Sequence, residues 1–259
     1  MKAVILCGGL GTRLREETDV RPKPMVTIGG RPILWHLMKI LEHGGVRDFV
    51  LCLGYKGEVI REYFLNFDAM TRDFTTHPGQ GRTPEFHDGG VAELSVSLVD
   101  TGNASMTGAR VRRVRHLLGD EPFMVCYGDS LAGLDVRELL AFHGAHEKLV
   151  TVTAVHPVSR FGELAMSEHG LVTGFREKPR METWANAGFF VMEPGAIAYL
   201  EGGGDGLVLE SEPLQRLAAD GQLAAYRYDG DFYAMDTQRD HLELNALWDA
   251  GRAGWKVWS

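Results

Sequence analysis

Residues 3–25 read AVILCGGLGTRLREETDVRPKPM, in which an apolar run meets a glycine-rich loop that continues to a lysine between two prolines. An apolar run that stops at glycines is typical of a buried β-strand ending in a loop. Glycines leave backbone N–H groups uncovered, so phosphate oxygens can approach them. The stretch therefore predicts a first strand with a candidate anion-binding loop at its carboxyl end.

Alternating strand-like and helix-like patterns follow this loop. Residues 32–42 carry apolar side chains at helical spacing and end at Gly44 and Gly45, and residues 49–53 form a second apolar run,. Further along, we expect helices at 56–64, 110–118 and 136–146, and strands at 94–99, 123–127 and 149–155. Such alternation favours an α/β fold, a mainly parallel sheet with helices on both faces and the post-strand loops along one edge.

A polar stretch rich in glycine and proline interrupts the alternation after residue 66. It contains Gly79, Gly81, Gly89 and Gly90. Because the regular pattern resumes afterwards, we interpret about 66–97 as an inserted excursion rather than a domain boundary.

Bulk composition limits the possible functions. The 259 residues, 44% of them hydrophobic, suffice for a packed core,. A net charge of -8 argues against nucleic-acid or anionic-membrane partners,. No apolar run approaches the ~18 residues of a membrane span, and the apolar start is too short for a signal peptide, so we expect a cytoplasmic protein.

Cys7, Cys52 and Cys126 lack metal or disulfide spacing and are expected to be buried thiols.

Two common phosphate-binding motifs do not fit the glycine loop. A dinucleotide fingerprint needs glycine where Leu14 stands, and a P-loop needs a G-K-[ST] ending that is missing here,. Arg13 and Lys23 nevertheless add cations suited to a polyphosphate, and the flanking prolines restrict the backbone around Lys23. The alternative is a glycine turn followed by an extended surface segment.

Several strings carry a resemblance to a known family. They are, in order, Gly9-Leu10-Gly11-Thr12-Arg13, Pro22-Lys23-Pro24, Tyr127-Gly128-Asp129, Glu177-Lys178-Pro179, Asn186-Ala187-Gly188-Phe189-Phe190 and Met235-Asp236-Thr237. With these strings the chain resembles the sugar-1-phosphate nucleotidyltransferases. PMVTIGGRPILWHLMK, LVDTGNASMTGARVRRV and WDAGRAGWKVW also resemble the subgroup that transfers a cytidylyl group to glucose 1-phosphate.

The resemblance implies an architecture and a set of partners. We expect a Rossmann-like mixed, mainly parallel sheet in a single nucleotidyltransferase domain spanning 1–259. Its N-terminal half, about 1–130, would bind the nucleotide, and its C-terminal half, about 131–259, the sugar. The expected partners are CTP, a sugar 1-phosphate, Mg²⁺ and further copies of the chain in a homo-oligomer.

The chemistry implied needs no side-chain nucleophile. A sugar-phosphate oxygen attacks the α-phosphorus of a nucleoside triphosphate and pyrophosphate leaves, so charge neutralisation and alignment dominate. The resemblance gives catalytic roles to Arg13 and Lys23, and it assigns a Mg²⁺ ion to Asp129 and Asp236. Each aspartate follows an apolar strand-like run, but judged singly each could equally cap a helix.

The resemblance also implies a set of substrate-binding residues. They are Leu6, Gly8, Gly9, Gly11, Thr12, Thr107, Gly108 and Arg110 around the nucleotide, and Tyr127, Gly128, Glu177, Lys178, Asn186 and Gly188 towards the sugar. Arg110 could donate to cytosine O2 and N3. The arginines between 110 and 115 could instead form a solvated helix face, and Glu177 with Lys178 an exposed ion pair worth under ~1 kcal/mol.

Other functions remain to be weighed. The same transfer could use dTTP or UTP, or another phosphorylated acceptor. A non-catalytic regulatory subunit that binds nucleotide sugars would be expected to lack Arg13, Lys23 or one of the aspartates, and all are present. Leu14 disfavours a Rossmann oxidoreductase.

Overall fold

A seven-stranded mixed sheet forms the centre of the structure, a computed structural model that describes residues 1–9, 11–87 and 93–258. The strands are β1 (Lys2–Leu6), β2 (Thr27–Ile28), β3 (Arg31–Pro32), β4 (Asp48–Leu53), β5 (Phe74–Thr75), β6 (Glu85–Phe86), β7 (Ser95–Asp100), β8 (Phe123–Tyr127), β9 (Ser130–Ala132), β10 (Val150–Val155), β11 (Glu163–Met166), β12 (Val172–Arg176), β13 (Ala185–Met192), β14 (Leu223–Arg227) and β15 (Phe232–Ala234). The helices are α1 (Arg15–Thr18), α2 (Ile33–His43), α3 (Gly57–Leu65), α4 (Phe67–Thr71), α5 (Thr107–Arg113), α6 (Val136–Gly144), α7 (Glu212–Ala219) and α8 (Gln238–Asp249).

The strand order of the central sheet is β14-β10-β13-β8-β1-β4-β7. β1 lies parallel to both β4 and β8, β4 parallel to β7, and β10 parallel to β14. Only β13 among these strands runs antiparallel to its neighbours, β8 and β10. The predicted mixed, mainly parallel sheet is therefore confirmed.

Both faces of the sheet are covered, as its side-chain alternation requires. Along β1, Ala3 and Ile5 point into one core, which includes Leu34 and Leu37 of α2. Val4 points into a second core, which includes Val111 of α5. Successive strand residues face opposite sides, so the almost uninterrupted apolar run of β1 reflects burial on both faces.

Element boundaries match the expectations where the apolar pattern is regular. The strand expected at 123–127 is β8. The helix expected at 110–118 begins earlier, at Thr107, and ends at Arg113, followed by a 3-10 turn at Arg115–Leu117. Thr107 and Gly108 are weak helix formers, so the sequence pattern does not indicate that the helix starts at Thr107.

The excursion holds α4 and the small hairpin of β5 and β6. It ends earlier than residue 97, because the edge strand β7 begins at Ser95. Residues 88–92, which include Gly89 and Gly90, lie outside the described residues.

The C-terminal segment fixes the chain that follows Lys23. Asn245 on α8 accepts a hydrogen bond from the backbone N–H of Gly29 at 3.0 Å. His36, fully buried, contacts the Ile28 carbonyl through Nε2 at 2.9 Å and accepts from the indole of Trp255 at 3.3 Å. Burial lowers the pKa of His36 to about 4, so the ring is neutral at pH 7. Because α8 begins at Gln238, two residues after Asp236, these contacts join the Lys23 and Asp236 segments.

The three cysteines are buried and unpaired, as predicted. Among the residues that the structure describes, no helix has the length and apolar character needed to span a membrane.

Candidate active site

A cavity of about 740 Å³ opens at the carboxyl edge of the parallel strands, where the loops after β1 and β8 meet. This volume is large enough to hold a ligand the size of a nucleotide. Most of the residues predicted from sequence line it: Leu6, Gly8, Gly9, Gly11, Thr12, Arg13, Lys23, Thr107, Arg110, Tyr127, Gly128, Asp129, Asn186 and Asp236. The expectation that post-strand loops share one edge of the sheet is thus met.

The described glycines of the first loop differ in how much space their surroundings leave for a side chain. A Cβ on Gly9 would meet nothing within 4 Å, so its backbone is open to a ligand. Gly11 adopts a left-handed φ of 63°, and a Cβ there would lie 2.7 Å from Thr18. A Cβ on Gly8 would lie 2.1 Å from the guanidinium of Arg110. Gly8 and Gly11 are therefore required by packing, and Gly9 is free to receive phosphate. Leu10 lies outside the described residues.

Two carboxylates and three cations form a charge cluster at the cavity wall. The ammonium of Lys23 lies 2.5 Å from Asp129 Oδ2 and 2.8 Å from Asp236 Oδ1. The guanidinium of Arg13 lies 3.1 Å, and that of Arg160 3.3 Å, from Asp236 Oδ2. Residues from distant parts of the chain thus converge on one carboxylate.

Burial and charge act in opposite directions within this cluster. Burial alone would lower the pKa of Lys23, but its hydrogen bonds and charge interactions with Asp129 and Asp236 outweigh burial and raise that pKa. Burial would raise the pKa of Asp236, yet Lys23, Arg13 and Arg160 together hold it below its ordinary value of 3.8. Both side chains are therefore charged at neutral pH.

The structure excludes the helix-capping alternative for both aspartates. Asp129 leads directly into the strand β9 and begins no helix. Helix α8 is capped by Thr237, whose side chain accepts from the Asp240 N–H in a capping box. The carboxylate of Asp236 therefore belongs to the charge cluster of the cavity and not to the helix end.

The same two aspartates fit a divalent cation. Their four oxygens are hard donors. The positively charged ammonium of Lys23 lies between the two carboxylates and contacts both. In the part of the chain that the structure describes, no three or more His, Cys, Asp or Glu side chains gather as a possible metal site. The protein thus supplies two carboxylates, and the remaining ligands of an ion would come from phosphate and water.

A hydrogen-bond chain borders the other end of the cavity. Tyr127 donates its hydroxyl to Glu210 and accepts from the amide of Asn186 at 3.0 Å. Thr107 donates to the second oxygen of Glu210 at 2.6 Å. Burial, followed by the charge of Glu210, raises the pKa of Tyr127, so its hydroxyl stays protonated. The chain fixes Tyr127 and Asn186 relative to the N-terminus of α5.

The guanidinium of Arg110 makes its hydrogen bonds to the protein itself, whereas the resemblance implied a contact with the base of the nucleotide. Its side chain is buried and donates to the carbonyl of Gly8 at 2.9 Å, the carbonyl of Leu53 at 2.9 Å and the hydroxyl of Thr101 at 2.7 Å. The alternative of a solvated arginine face is therefore wrong at Arg110. Arg110 fixes the floor of the cavity beneath the first loop.

Four predicted residues do not line the cavity. Gly108 packs beneath Leu207, and Gly188, with φ of 78°, packs beneath the ring of Tyr127. Glu177 and Lys178 lie after β12, where their charged atoms are 3.7 Å apart in an ion pair. Lys178 has a left-handed φ of 43°, which is unusual for a residue with a side chain,.

Sequence reasoning missed several residues at this site. Asn103, Ser105 and Met106 line the cavity from the turn before α5, and Glu210 lines it from the turn before α7. Arg160 reaches it through Asp236. Glu210 and Arg160 each contact residues more than seventy positions away, and no local spacing marks either residue.

Comparison with known proteins finds a matching family model and full-length relatives. The family model described as nucleotidyl transferase matches residues 2–251. The glucose-1-phosphate cytidylyltransferases of Salmonella typhi and of Salmonella typhimurium (strain LT2) are each 48% identical to this chain over 260 residues, covering all of both chains.

A solved structure of UDP-glucose pyrophosphorylase complexed with UDP-glucose superimposes with a TM-score of 0.70. The match covers 97% of this chain and 99% of that one at 17% identity. At that identity the likeness shows the fold alone. The family model and the full-length relatives show more: this chain belongs to the nucleotidyl transferase family.

Proposed function

We propose that this protein transfers a cytidylyl group from CTP to α-D-glucose 1-phosphate, forming CDP-glucose and pyrophosphate with Mg²⁺. The observation that carries the proposal is the 48% identity, over the whole of both chains, to the glucose-1-phosphate cytidylyltransferase of Salmonella typhi. The charge cluster around Asp236 supports it, because both proposed substrates are anions and the reaction needs their charge neutralised,.

The reaction follows from the chemistry of the two substrates. An oxygen of the glucose 1-phosphate attacks the α-phosphorus of CTP, forming a new P–O bond, while the bond from that phosphorus to the β-phosphate oxygen breaks. The attacking oxygen is already anionic at neutral pH, so no side chain needs to remove a proton. The task of the protein is alignment and electrostatic stabilisation of the transition state.

Each part of the site has a role in this proposal. The open backbone of Gly9 receives phosphate oxygens of CTP,. Arg13 and Lys23 neutralise the triphosphate, and Asp129 with Asp236 hold Mg²⁺. When bound, the ion supplies a hard cation that offsets charge on phosphate oxygens. Tyr127 and Asn186, fixed by Glu210, face the glucose.

Lys23 has a second role in this proposal, which is to balance the negative charge of the two carboxylates. Its ammonium contacts both carboxylates. An ion held by Asp129 and Asp236 would compete with Lys23 for the same oxygens, and the ammonium would then be available to phosphate. Lys23 therefore offsets the mutual repulsion of two partly exposed carboxylates,.

Pyrophosphate release over a matrix of substrates tests the proposal. CTP, UTP, dTTP, ATP and GTP are each combined with several sugar 1-phosphates, with and without Mg²⁺, and products are identified by mass spectrometry. We expect CDP-glucose as the main product and none without a divalent ion. Product with dTTP or UTP alone would move the protein to a sister activity. Nucleotide-sugar binding without turnover would instead identify a regulatory subunit.

A further inference from the structure

Arg160 connects the Asp236 carboxylate to the segment between β10 and β11. Its guanidinium is 3.3 Å from Asp236 Oδ2, the same oxygen that Arg13 contacts at 3.1 Å. About 60% of the Arg160 side chain is exposed. The guanidinium can therefore exchange its carboxylate partner for a ligand without leaving a buried position.

The charges around Asp236 leave room for an additional anion. Asp129 and Asp236 carry two negative charges, against three positive charges on Lys23, Arg13 and Arg160. A divalent ion on the two carboxylates would compete with these cations for the same oxygens and would add two further positive charges. Cations displaced in this way need an anionic partner, and a phosphate matches the donor fork of arginine.

The backbone around Arg160 determines which substrate it faces. The Ser159 N–H donates to the Pro179 carbonyl at 2.9 Å, and the Met181 N–H donates to the Pro157 carbonyl at 2.9 Å. Val158 forms a β-bridge with Arg180. The segment bearing Arg160 is therefore joined to the residues that immediately follow Glu177 and Lys178.

We propose that Arg160 binds the phosphate of the sugar 1-phosphate and that Asp236 is its resting partner before ligands bind. The inference rests on the proposed function. Arg13 and Lys23, both from the N-terminal half, serve the triphosphate. Arg160 and Lys178, on joined segments of the C-terminal half, serve the acceptor. Release of Arg160 by an ion on Asp236 couples metal binding to acceptor binding.

Steady-state kinetics of Arg160→Ala and Arg160→Lys test the proposal against Arg176→Ala. Arg176 is a matched control, because it ends the strand β12 directly before Glu177 and pairs with Glu163, outside the cavity lining. We expect the KM for glucose 1-phosphate to rise roughly 10- to 100-fold in Arg160→Ala, as for loss of a charge-assisted hydrogen bond. The KM for CTP should stay unchanged, and Arg160→Lys should recover part of the loss. An unchanged KM for glucose 1-phosphate, or a rise confined to CTP, would overturn the proposal.

Calorimetry provides a readout that needs no turnover. CDP-glucose retains the acceptor phosphate and CMP lacks it. In Arg160→Ala with Mg²⁺, the dissociation constant of CDP-glucose should rise by a similar factor while that of CMP stays constant, and the rise should be smaller without Mg²⁺, when Asp236 retains the guanidinium. Equal effects on both ligands would contradict the assignment. A wild-type protein that makes no CDP-glucose would contradict the proposed function instead, so the two failures are distinguishable.

Discussion

The Lys23 cluster and the Glu177–Lys178 turn carry similar charges in very different surroundings. Lys23 is mostly buried and contacts two carboxylates at 2.5 and 2.8 Å. Lys178 is more exposed, its ion pair with Glu177 is 3.7 Å long, and neither residue lines the cavity. We infer that the proposed triphosphate side holds its charged side chains through contacts within the protein, whereas the Glu177–Lys178 turn would gain its contacts from the substrate.

Loss of Asp236 is the strongest test of the assembled region. In Asp236→Ala, three cations lose their shared partner and the proposed ion site loses one of its two carboxylates, so we expect kcat to fall by roughly 1000-fold or more. Asp129→Ala should behave similarly. Initial-rate assays over a range of Mg²⁺ concentrations measure the effect, with circular dichroism to confirm folding.

The matched control for these variants is Asp220→Ala. Asp220 is an exposed aspartate that accepts from Tyr199. It should retain full activity. Near-normal turnover in either site variant would remove that aspartate from the metal site.

Lys23→Met tests whether the cluster is held by charge. We expect kcat to fall about 100-fold and the pKa of Asp236 to rise, because its first stabilising partner is lost. In the wild type, the lowered pKa of Asp236 gives stability that is present above 3.8 and is lost as pH falls through the depressed pKa. The raised pKa of Lys23 gives stability that is present below 10.5 and is lost as pH rises through the raised value,.

Denaturant unfolding across pH measures this linkage. The wild-type stability should decline at both extremes, and the alkaline decline should be smaller in Lys23→Met. Lys148→Met, at an exposed lysine, should follow the wild-type profile. Identical profiles for Lys23→Met and wild type would show that the pair contributes no stability.

Lys178→Ala probes the region that we expect to depend on substrate. Its loss removes a cation proposed for the acceptor phosphate but disturbs no buried contact. The KM for glucose 1-phosphate should rise about 10-fold with kcat and folding stability nearly constant. If kcat fell as far as in Lys23→Met with KM unchanged, the two regions would not differ in the proposed way.

Tyr127→Phe should give the smallest effect. It removes the hydroxyl that joins Asn186 to Glu210 but keeps the ring that packs on Gly188. We expect a KM for glucose 1-phosphate about 5-fold higher and an unfolding free energy about 1 kcal/mol lower. Tyr199→Phe breaks a comparable hydrogen bond to Asp220 far from the cavity and should leave kinetics unaltered. Kinetic changes of equal size in both variants would show that the hydrogen bonds joining Asn186, Tyr127 and Glu210 have no role in acceptor binding.

The parts of the fold predictable from sequence are those encoded by local apolar periodicity. β8 was predicted to the residue because its five side chains are apolar and glycine follows. The placement of Asp129 at the ligand edge follows from the same pattern. Gly9, Lys23 and Asp236 are marked by motif strings, and the structure brings Lys23 and Asp236 into contact.

The parts that could not be predicted depend on contacts distant in the chain. Arg110 has the sequence context of a surface arginine, yet it is buried, and it donates to three acceptors that lie at or just after the carboxyl ends of β1, β4 and β7. Glu210 and Arg160 acquire their partners only through the fold. No residue spacing along the sequence encodes those distances.

The close approach of Gly8 to Arg110 limits how this family member can vary. A Cβ on Gly54 would also lie 2.7 Å from the Arg110 guanidinium and 2.9 Å from the Cα of Gly8. A methyl group at position 8 would therefore need a shorter side chain at 110, and one at position 54 would also meet the backbone of Gly8. In evolution these three positions should covary as a unit, and engineering the cavity floor requires redesigning all three at once.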